Sequence, residues 1–599
     1  MRDFLKHTFA TLFGILIFLG LSFGGLLLLI IATASKDTEP QVKDKSVLVF
    51  DLSQNIADSQ PNSSTRQAIN EALSGDETDT ITLKTVLDTI DQATQDSKIV
   101  ALYLHGGDGA STSGFATLKE VRDALQRFKA SGKKIYAYDV DWSERKYYLG
   151  SVADTIAINP IGDMEINGFS SEGLFFAGAL QKYGVGIQVT RVGKYKSAVE
   201  PFLMTKRSPE NREQTQELLG DLWSEFLSAT SKARKMTTQQ MQAIADSKGF
   251  LTAEEALKAK LADKIAYSDQ MVSELKKISG EDGETKSFRQ INLKAYAKIA
   301  EAEVQKQGGK HQIAVVYAEG DIVNGQGGDR NVGGDRLARQ LRQLRQDDDV
   351  KAVVLRINSP GGSATASEII QREVILTQKA KPFVVSMGNV AASGGYWIAT
   401  YADRIFAEPN TITGSIGVFG LQPNIQKIAN QNGLTWDVVK TGRFADSQTI
   451  TRPKRPEELK LVQRSVDKIY DQFLTKVSNS RKLQKNKVAE IAQGRVWSGA
   501  QAKSLGLVDE LGGLNAAIQD AAKRAKLGDD WQIEEYPKTS TFEERLLKRL
   551  IGATLTTSAP TSDPLTQEFK KLQSDLTSLA NMNDPTGVYV RLPLNLRID

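Results

Sequence analysis

The chain has 599 residues, with 76 Lys and Arg against 72 Asp and Glu, a formal net charge of +4, three histidines and no cysteine. The absence of cysteine excludes disulfides, a thiolate nucleophile and iron–sulfur clusters, and the balanced charge, with no basic block, does not indicate nucleic-acid binding. No histidine has the H-E-x-x-H spacing of a zinc peptidase, so a Ser-His-Asp triad would have to use His105 or His311, and a hydrolase of this composition is expected to use another base.

The N-terminal segment predicts a membrane anchor. No residue from Thr8 to Ser35 is charged, and a bilayer-spanning helix needs about 20 apolar residues, whereas a signal-peptide core has about 7–15. Arg2 and Lys6 precede this segment, which favours a cytoplasmic N-terminus and places the rest of the chain outside the cytoplasm. A cleaved signal peptide is the alternative, because Ala32-Thr33-Ala34 is a small-residue cleavage pattern. Residues 1–45 are therefore expected to form a cytoplasmic tip, one transmembrane helix and a linker.

The rest of the chain contains the same pattern twice. YYLGSVADTIAINP, from Tyr147, aligns with YWIATYADRIFAEP, from Tyr396, and KIVALYLHGGDG, from Lys98, aligns with KAVVLRINSPGG, from Lys351. The offset between the copies drifts by only a few residues along the chain, which indicates an internal duplication with small insertions. We therefore expect one half at 46–300 and another at 311–535, joined by a helical segment that begins near Ser287. Residues 536–599 have no counterpart and are interpreted as a peripheral C-terminal appendage.

Each half alternates short apolar runs with longer helical segments, and Gly-rich turns separate them. The predicted strands are Val47–Phe50, Ile99–Leu104, Ile313–Tyr317, Ala352–Ile357 and Phe383–Val385. The predicted helices include 114–130 and 366–377. Such alternation indicates an α/β architecture with parallel strands, in which functional sites lie at the carboxyl ends of strands.

The two copies differ at a serine that only the second half contains. Ser393 follows the apolar run KPFVVSMG and lies between Ala391-Ala392 and Gly394-Gly395, whereas the first copy has Glu144 at the aligned position. Small neighbours allow another backbone to approach, and the start of a helix favours a developing negative charge. We expect Ser393 to be a nucleophile. The other candidate serines in Gly-rich turns are Ser359, Ser363, Ser367 and Ser415.

The reverse pattern holds for a lysine that only the first half contains. Lys196 of RVGKYKSAVEPF aligns with Ala445, whereas its neighbour Lys194 aligns with Arg443. Because each half has one group that the other lacks, Ser393 and Lys196 together could form a Ser–Lys dyad with neutral lysine as the base. The pKa of the lysine would have to fall from about 10.4, which an apolar pocket can cause. A surface lysine is the alternative, as most lysines are exposed.

Backbone donors for an oxyanion are expected in the turn NSPGGSATASE, which starts at Asn358. We assign the oxyanion hole to the N–H groups of Gly362 and Gly394, with an ordinary turn between a strand and a helix as the alternative. Ser415, in TITGSIGVFG, is expected to line the site and to orient the lysine.

The motifs NSPGG, AASGGYWIA, TGSIGVFG and GKYKSAVEPF resemble those of the signal peptide peptidase A family, also called protease IV, in its long duplicated bacterial form. The resemblance extends from the anchor to about residue 535. It implies two tandem ClpP/crotonase-like domains, with Ser393 as nucleophile and Lys196 as base, and no metal or organic cofactor. It further implies a single-pass protein of the bacterial inner membrane with its catalytic body in the periplasm, assembled as a bowl-shaped homotetramer that degrades apolar, already cleaved signal peptides.

Two other functions remain open at the level of sequence. One is a membrane-anchored scaffold without catalysis, which the complementary serine and lysine disfavour. The other is a crotonase-type acyl-CoA enzyme of the same fold, which the predicted topology disfavours because CoA substrates are cytoplasmic.

Overall fold

The computed structural model describes residues 41–59, 80–107, 112–306, 308–328, 330–537 and 581–592, with isolated positions 7, 11, 13–15 and 18 near the N-terminus. Most of the predicted membrane segment therefore lies outside the described residues. Within the described ranges, no helix combines the length and the apolar character needed to cross a membrane.

The first half is built around a parallel six-stranded sheet of order β10-β6-β5-β4-β1-β11. The strands of this half are β1 (Ser46–Asp51), β2 (Asn55–Ala57), β3 (Thr80–Thr82), β4 (Ile99–His105), β5 (Lys134–Asp139), β6 (Thr155–Ile158), β7 (Asp163–Ile166), β8 (Gly186–Val192), β9 (Gly249–Thr252), β10 (Lys264–Ile265) and β11 (Gln290–Asn292). Its helices are α1 (Leu83–Gln95), α2 (Phe115–Ala130), α3 (Glu144–Gly150), α4 (Ala177–Tyr183), α5 (Glu200–Leu203), α6 (Pro209–Arg234), α7 (Thr238–Ser247), α8 (Ala253–Lys258), α9 (Ser268–Ser279) and α10 (Leu293–Lys306).

The second half repeats this plan around a sheet of order β21-β19-β17-β15-β12-β23, with β18 and β22 attached beside β17. The strands of this half and of the C-terminal segment are β12 (His311–Glu319), β13 (Asp321–Val323), β14 (Asn331–Gly333), β15 (Val350–Ser359), β16 (Gly361–Ser363), β17 (Phe383–Ala392), β18 (Arg404–Ala407), β19 (Ile412–Gly414), β20 (Val418–Asn424), β21 (Val496–Ser498), β22 (Glu510–Leu511), β23 (Trp531–Tyr536) and β24 (Val588–Arg591). Its helices are α11 (Gly334–Gln346), α12 (Ala364–Ala380), α13 (Gly394–Ala399), α14 (Gln426–Gln431), α15 (Pro456–Arg481), α16 (Lys485–Ile491), α17 (Gly499–Ser504) and α18 (Leu514–Arg524).

Local sequence explains why these elements form. In α1, the Thr82 side chain accepts a hydrogen bond from the backbone of the first turn, and Leu83, Val86 and Ile90 recur at helical spacing and are buried. In β15, the run from Ala352 to Ile357 is fully buried, as expected for a central parallel strand covered by helices on both faces. The predicted alternation of strands and helices is present, and each half has its own apolar core.

A third sheet joins the two halves. Its order is β14-β13-β16-β24-β20-β8, and β8 of the first half pairs antiparallel with β20 of the second from Val192↔Val418 to Gly186↔Asn424. β8 ends at Val192, shortly before Lys196, and β20 begins at Val418, shortly after Ser415. This pairing therefore carries the lysine of one half to the serine-containing turns of the other.

A buried ion cluster also ties the halves together. The Arg356 guanidinium, which is fully buried in β15, contacts Asp58 at 2.8 Å and Glu120 at 2.7 Å, both from the first half. Glu120 also accepts a hydrogen bond from the Leu514 backbone at 2.6 Å. Removing one member of such a cluster leaves an unpaired buried charge, which costs about 3–5 kcal/mol.

The C-terminal segment differs from the expected peripheral appendage where the structure describes it. Val588–Arg591 forms β24 inside the third sheet, between β16 and β20. Its residues Val588 and Val590 are fully buried. The composition of the segment as a whole, rich in Ser and Thr, concealed this short apolar strand.

Candidate active site

Ser393 lies between the end of β17 and the start of α13, and it is completely buried. Its backbone has φ 55° and ψ −110°, a conformation that costs about 1–3 kcal/mol in a residue other than glycine. The Ser393 N–H donates to the Gly414 carbonyl at 2.8 Å, which fixes this turn against the loop that contains Ser415. The two glycines that follow have no room for a side chain, since a Cβ on Gly395 would lie 2.6 Å from the Ser359 carbonyl oxygen.

Lys196 enters the same place from the first half. It follows β8 and precedes a short 3-10 helix, Ser197–Val199, and its side chain is fully buried. Its Nζ lies 2.7 Å from Ser393 Oγ, 3.0 Å from the Ser415 carbonyl oxygen and 3.1 Å from Ser415 Oγ. The structure thus brings together the predicted nucleophile, the predicted base and the predicted site-lining serine, which come from three separate segments.

The surroundings of Lys196 favour its neutral form. Burial holds the pKa of the Lys196 ammonium well below its usual value, and the nearby positive charge of Arg591 lowers that pKa further. The apolar residues Ala198 and Val199, which follow the lysine closely in the chain, are also buried. None of the ion pairs within the described ranges includes Lys196. A lysine amine that is shielded from water and has no carboxylate partner is mostly neutral, so it can accept a proton.

Two glycines leave space for the lysine. A Cβ on Gly494 would lie 2.7 Å from the backbone N of Lys196, and a Cβ on Gly417 would lie 3.0 Å from its Cδ. The backbone of Gly494 has φ +75°, a region that favours glycine. Sequence reasoning missed this contact, although Gly249 and Gly494 occupy aligned positions in the two copies and could have pointed to it.

Gln214 is a second residue that sequence reasoning missed. This buried side chain of α6 donates to the Tyr195 carbonyl at 3.0 Å and to Ser197 Oγ at 3.1 Å, and it accepts from the Val496 N–H at 3.1 Å. It therefore connects the two residues that flank Lys196, Tyr195 and Ser197, to the backbone of β21. No local motif distinguishes it from the other glutamines of a long polar helix.

The two predicted oxyanion-hole glycines lie on adjacent segments. Gly362 is in β16, and Gly394 is the first residue of α13. Gly361, which precedes Gly362 in the chain, lies close to Gly394, because a Cβ built on Gly361 would be only 2.6 Å from Gly394 N. The turn that contains Gly362 therefore packs closely against the start of α13, the helix that follows Ser393.

The competing candidates have other roles in the described structure. Ser359 Oγ accepts from the Gly361 N–H, Ser363 Oγ accepts from the Ala366 N–H at the start of α12, and Ser367 Oγ donates to the Ser363 carbonyl. His105 stacks on Tyr103, and the half-exposed His311 lies 4.0 Å from Asp530. The described contacts pair Ser393 with a lysine and with neither of these histidines.

Comparisons with known proteins agree with this arrangement. The profile of peptidase family S49 matches residues 127–281 and 375–528, once in each half, and the Clp protease profile matches residues 306–413. Protease 4 of Salmonella typhi is 36% identical over 563 residues, which cover 91% of this chain and 90% of that protein. Protease 4 of Haemophilus influenzae is 36% identical over 532 residues, covering 84% of each chain.

The chain belongs to peptidase family S49. It is a serine peptidase and a homologue of protease IV, with two S49 domains of an α/β, ClpP-like fold. This membership removes the two alternatives of a scaffold without catalysis and of an acyl-CoA enzyme. In this structure the predicted nucleophile, Ser393, and the predicted base, Lys196, are in direct hydrogen-bond contact.

Proposed function

We propose that this S49 peptidase uses Ser393 and Lys196 as a catalytic dyad and degrades apolar peptides, with cleaved signal peptides as its substrates. One observation carries the proposal: Lys196 Nζ and Ser393 Oγ lie 2.7 Å apart, and both residues are completely buried. The substrate class is proposed from the resemblance of the sequence motifs to those of the signal peptide peptidase A family.

The hydrogen-bond inventory of the lysine supports its role as base. A neutral amine has two N–H groups and one lone pair. The Ser415 carbonyl oxygen can only accept, so it takes one N–H, and Ser415 Oγ can take the other. The lone pair then points to Ser393 Oγ, whose proton it can remove.

The reaction follows from these contacts. Ser393 Oγ attacks the peptide carbonyl carbon while its proton passes to Lys196 Nζ, and the N–H groups of Gly362 and Gly394 bind the oxyanion. The protonated lysine then gives that proton to the leaving amine, and an acyl-enzyme remains on Ser393. A water molecule attacks the acyl carbon with Lys196 again as base, which releases the carboxylate and restores both groups.

The walls around the dyad support apolar substrates. One apolar cluster contains Ala198, Val199 and Phe419, and another contains Leu218, Leu222 and Val496. Extended peptides with apolar side chains would bury those side chains here, at a gain of about 25 cal/mol per Å² of apolar surface. Cleaved signal peptides have this character.

The setting of the enzyme is proposed from the sequence alone. The uncharged segment from Thr8 to Ser35, preceded by Arg2 and Lys6, supports a single membrane anchor with the catalytic body in the periplasm. A bowl-shaped homotetramer in the bacterial inner membrane follows from the family resemblance.

The test is cleavage of a synthetic signal peptide in detergent micelles, compared with a peptide of equal length whose apolar core is replaced by Ser and Gln. We expect cleavage of the apolar peptide only, no turnover by Ser393→Ala, and a loss of about 10²–10⁴-fold in kcat for Lys196→Ala. Equal cleavage of both peptides would contradict the substrate class, and full activity of folded Lys196→Ala would contradict the dyad.

A further inference from the structure

The described C-terminal strand lies in the groove beside the dyad. β24 pairs antiparallel with β16 on one side, in the register Gly361↔Arg591 and Gly362↔Val590, and with β20 on the other, where Phe419 faces Tyr589. β16 carries the predicted oxyanion glycine, and β20 follows the Ser415 turn. A strand of the chain itself therefore lies between β16, which carries Gly362, and β20, which follows the Ser415 turn.

The register places one carbonyl group at the proposed oxyanion hole. The Leu592 N–H donates to the Pro360 carbonyl at 2.8 Å, so the alternation of an antiparallel ladder makes Gly362 and Val590 the next hydrogen-bonded pair. A Cβ on Gly361 would lie 2.2 Å from the Val590 carbonyl oxygen and 2.6 Å from Gly394 N. The Val590 carbonyl thus borders the two N–H groups that would bind the carbonyl oxygen of a substrate.

The side chains of the strand alternate as those of a bound peptide would. Val588 and Val590 are fully buried in the apolar core of the second half, whereas Tyr589 packs on the opposite face against Ala198 and Phe419. Leu592 packs with the cluster that contains Leu218, Leu222 and Val496. The apolar walls assigned above to substrate are therefore covered by residues 588–592.

Polar contacts hold the segment in place at both ends. Asp584 accepts from Ser363 Oγ at 2.5 Å and from the Thr365 N–H at 3.0 Å. Arg591 pairs with Asp321 at 2.6 Å in a buried site. The partners of Asp584 and Arg591 belong to strands β13 and β16 and to helix α12, which surround the groove.

We propose that residues 581–592 are an intramolecular inhibitor that fills the substrate groove as an extended strand, with Val590 where the residue before the scissile bond of a substrate would lie. The inference rests on the proposed function, because it identifies the groove as the place where peptides are cut. A substrate must displace β24 before its own carbonyl can reach Ser393. The strand also indicates the preferred ligand, which is an extended peptide with small β-branched residues at alternate positions.

Direct binding tests the proposal without relying on catalysis. Two inactive Ser393→Ala proteins are compared, one full-length and one that ends at Ala580, with a fluorescent peptide of the sequence NMNDPTGVYVRL. We expect the peptide to raise its anisotropy with the shortened protein and not with the full-length one. A control peptide with Val588→Asp and Val590→Asp should bind neither. Equal binding to both proteins, or no binding to a folded shortened protein, would overturn the proposal.

Kinetics give the second test, on the active chain. A strand tethered at an effective concentration in the millimolar range competes strongly, so the chain ending at Ala580 should have a kcat/KM for a short apolar peptide about ten- to a hundredfold above that of the full chain, through a lower KM. The matched control ends at Leu592 and should behave as the full chain does. If the shortened chain does not fold, the full-length Val588→Asp/Val590→Asp variant replaces it and should show the same rise.

The outcomes separate this proposal from the proposed function. If the peptide binds as expected but neither chain cleaves any peptide, the proposed function fails and the docking of the strand stands. If both chains cleave with equal kcat/KM, the inhibitor fails and the peptidase stands.

Discussion

In the proposed mechanism the protonation state of Lys196 decides the chemistry, and Ser415 contacts Lys196 Nζ through two of its atoms. The Ser415 carbonyl and hydroxyl both lie within 3.1 Å of Nζ, and the backbone of Ser415 has φ 50°. These contacts use the N–H groups of a neutral lysine and leave its lone pair for Ser393. In the proposed mechanism the hydroxyl of Ser415 therefore positions the base and takes no part in bond formation.

Ser415→Ala should lower activity without abolishing it. One hydrogen bond of this kind contributes about 0.5–1.5 kcal/mol, so we expect kcat to fall roughly two- to twelvefold at unchanged KM. Steady-state kinetics on a peptide substrate measure kcat and KM separately. Ser415→Thr keeps the hydroxyl and should recover part of the loss, whereas a kcat equal to wild type in Ser415→Ala would show that the hydroxyl does not position the lysine.

The two central site residues could be predicted because the duplication supplied an internal comparison. Ser393 is aligned with Glu144 of the first copy, and Lys196 is aligned with Ala445 of the second copy. Gln214 and Arg591 could not be predicted, because their roles depend on contacts between segments distant in sequence. Arg591 influences the lysine only because β24 folds back into the groove.

At the scale of elements, strand ends and glycine turns set the geometry of the site. The sequence predicts a strand at Phe383–Val385, whereas β17 continues to Ala392. The extension through Gly388 and Asn389 has weak strand propensity, and tertiary pairing of Val390 with Ile412 in β19 stabilises it. Propensity alone could not reveal this, yet the longer strand is what delivers Ser393 to Lys196.

Gly494→Ala should disable the enzyme by displacing the lysine. The added Cβ would lie 2.7 Å from the Lys196 backbone N, so we expect kcat/KM to fall by at least about tenfold, since small misplacements of catalytic groups have large effects on rate. Gly433→Ala is the matched control. Gly433 has φ +76°, close to the +75° of Gly494, so the backbone strain is similar, but no atom lies within 4 Å of a Cβ built on Gly433. Equal activities of the two variants would contradict the packing role of Gly494.

At the scale of the whole molecule, the two halves depend on each other. Neither half contains both residues of the proposed dyad, and the two halves are joined by the β8–β20 pairing and by the Arg356 cluster. Glu408, which follows β18, is buried against Lys119 and Glu120 of α2 from the other half. Burial raises the pKa of Glu408 to about 8, and the nearby negative charge of Glu120 raises that pKa too.

This boundary should make stability depend on pH. The folded pKa of Glu408, about 8, lies above the unfolded value of 4.5, so the folded state holds an extra proton between these pH values. The free energy of unfolding should therefore fall as pH rises from 4.5 to 8. Glu408→Gln should flatten that fall, as measured by urea denaturation at several pH values. Glu510→Gln is the control, since the pKa of this carboxyl is lowered and its effect belongs below pH 4.5; an unchanged slope in Glu408→Gln would contradict the assignment.

The central claim is that buried, neutral Lys196 activates Ser393, and the pH dependence of covalent labelling tests it most directly. A fluorophosphonate probe is applied to the purified protein across pH, and the adduct is located by mass spectrometry. We predict an adduct on Ser393 whose rate of formation rises with pH to a plateau, with a midpoint well below the 10.5 of a free lysine, and which is absent from folded Lys196→Ala. Labelling of Ser393 at an equal rate in Lys196→Ala, or loss of labelling when His105 and His311 are both changed to Gln, would contradict the account.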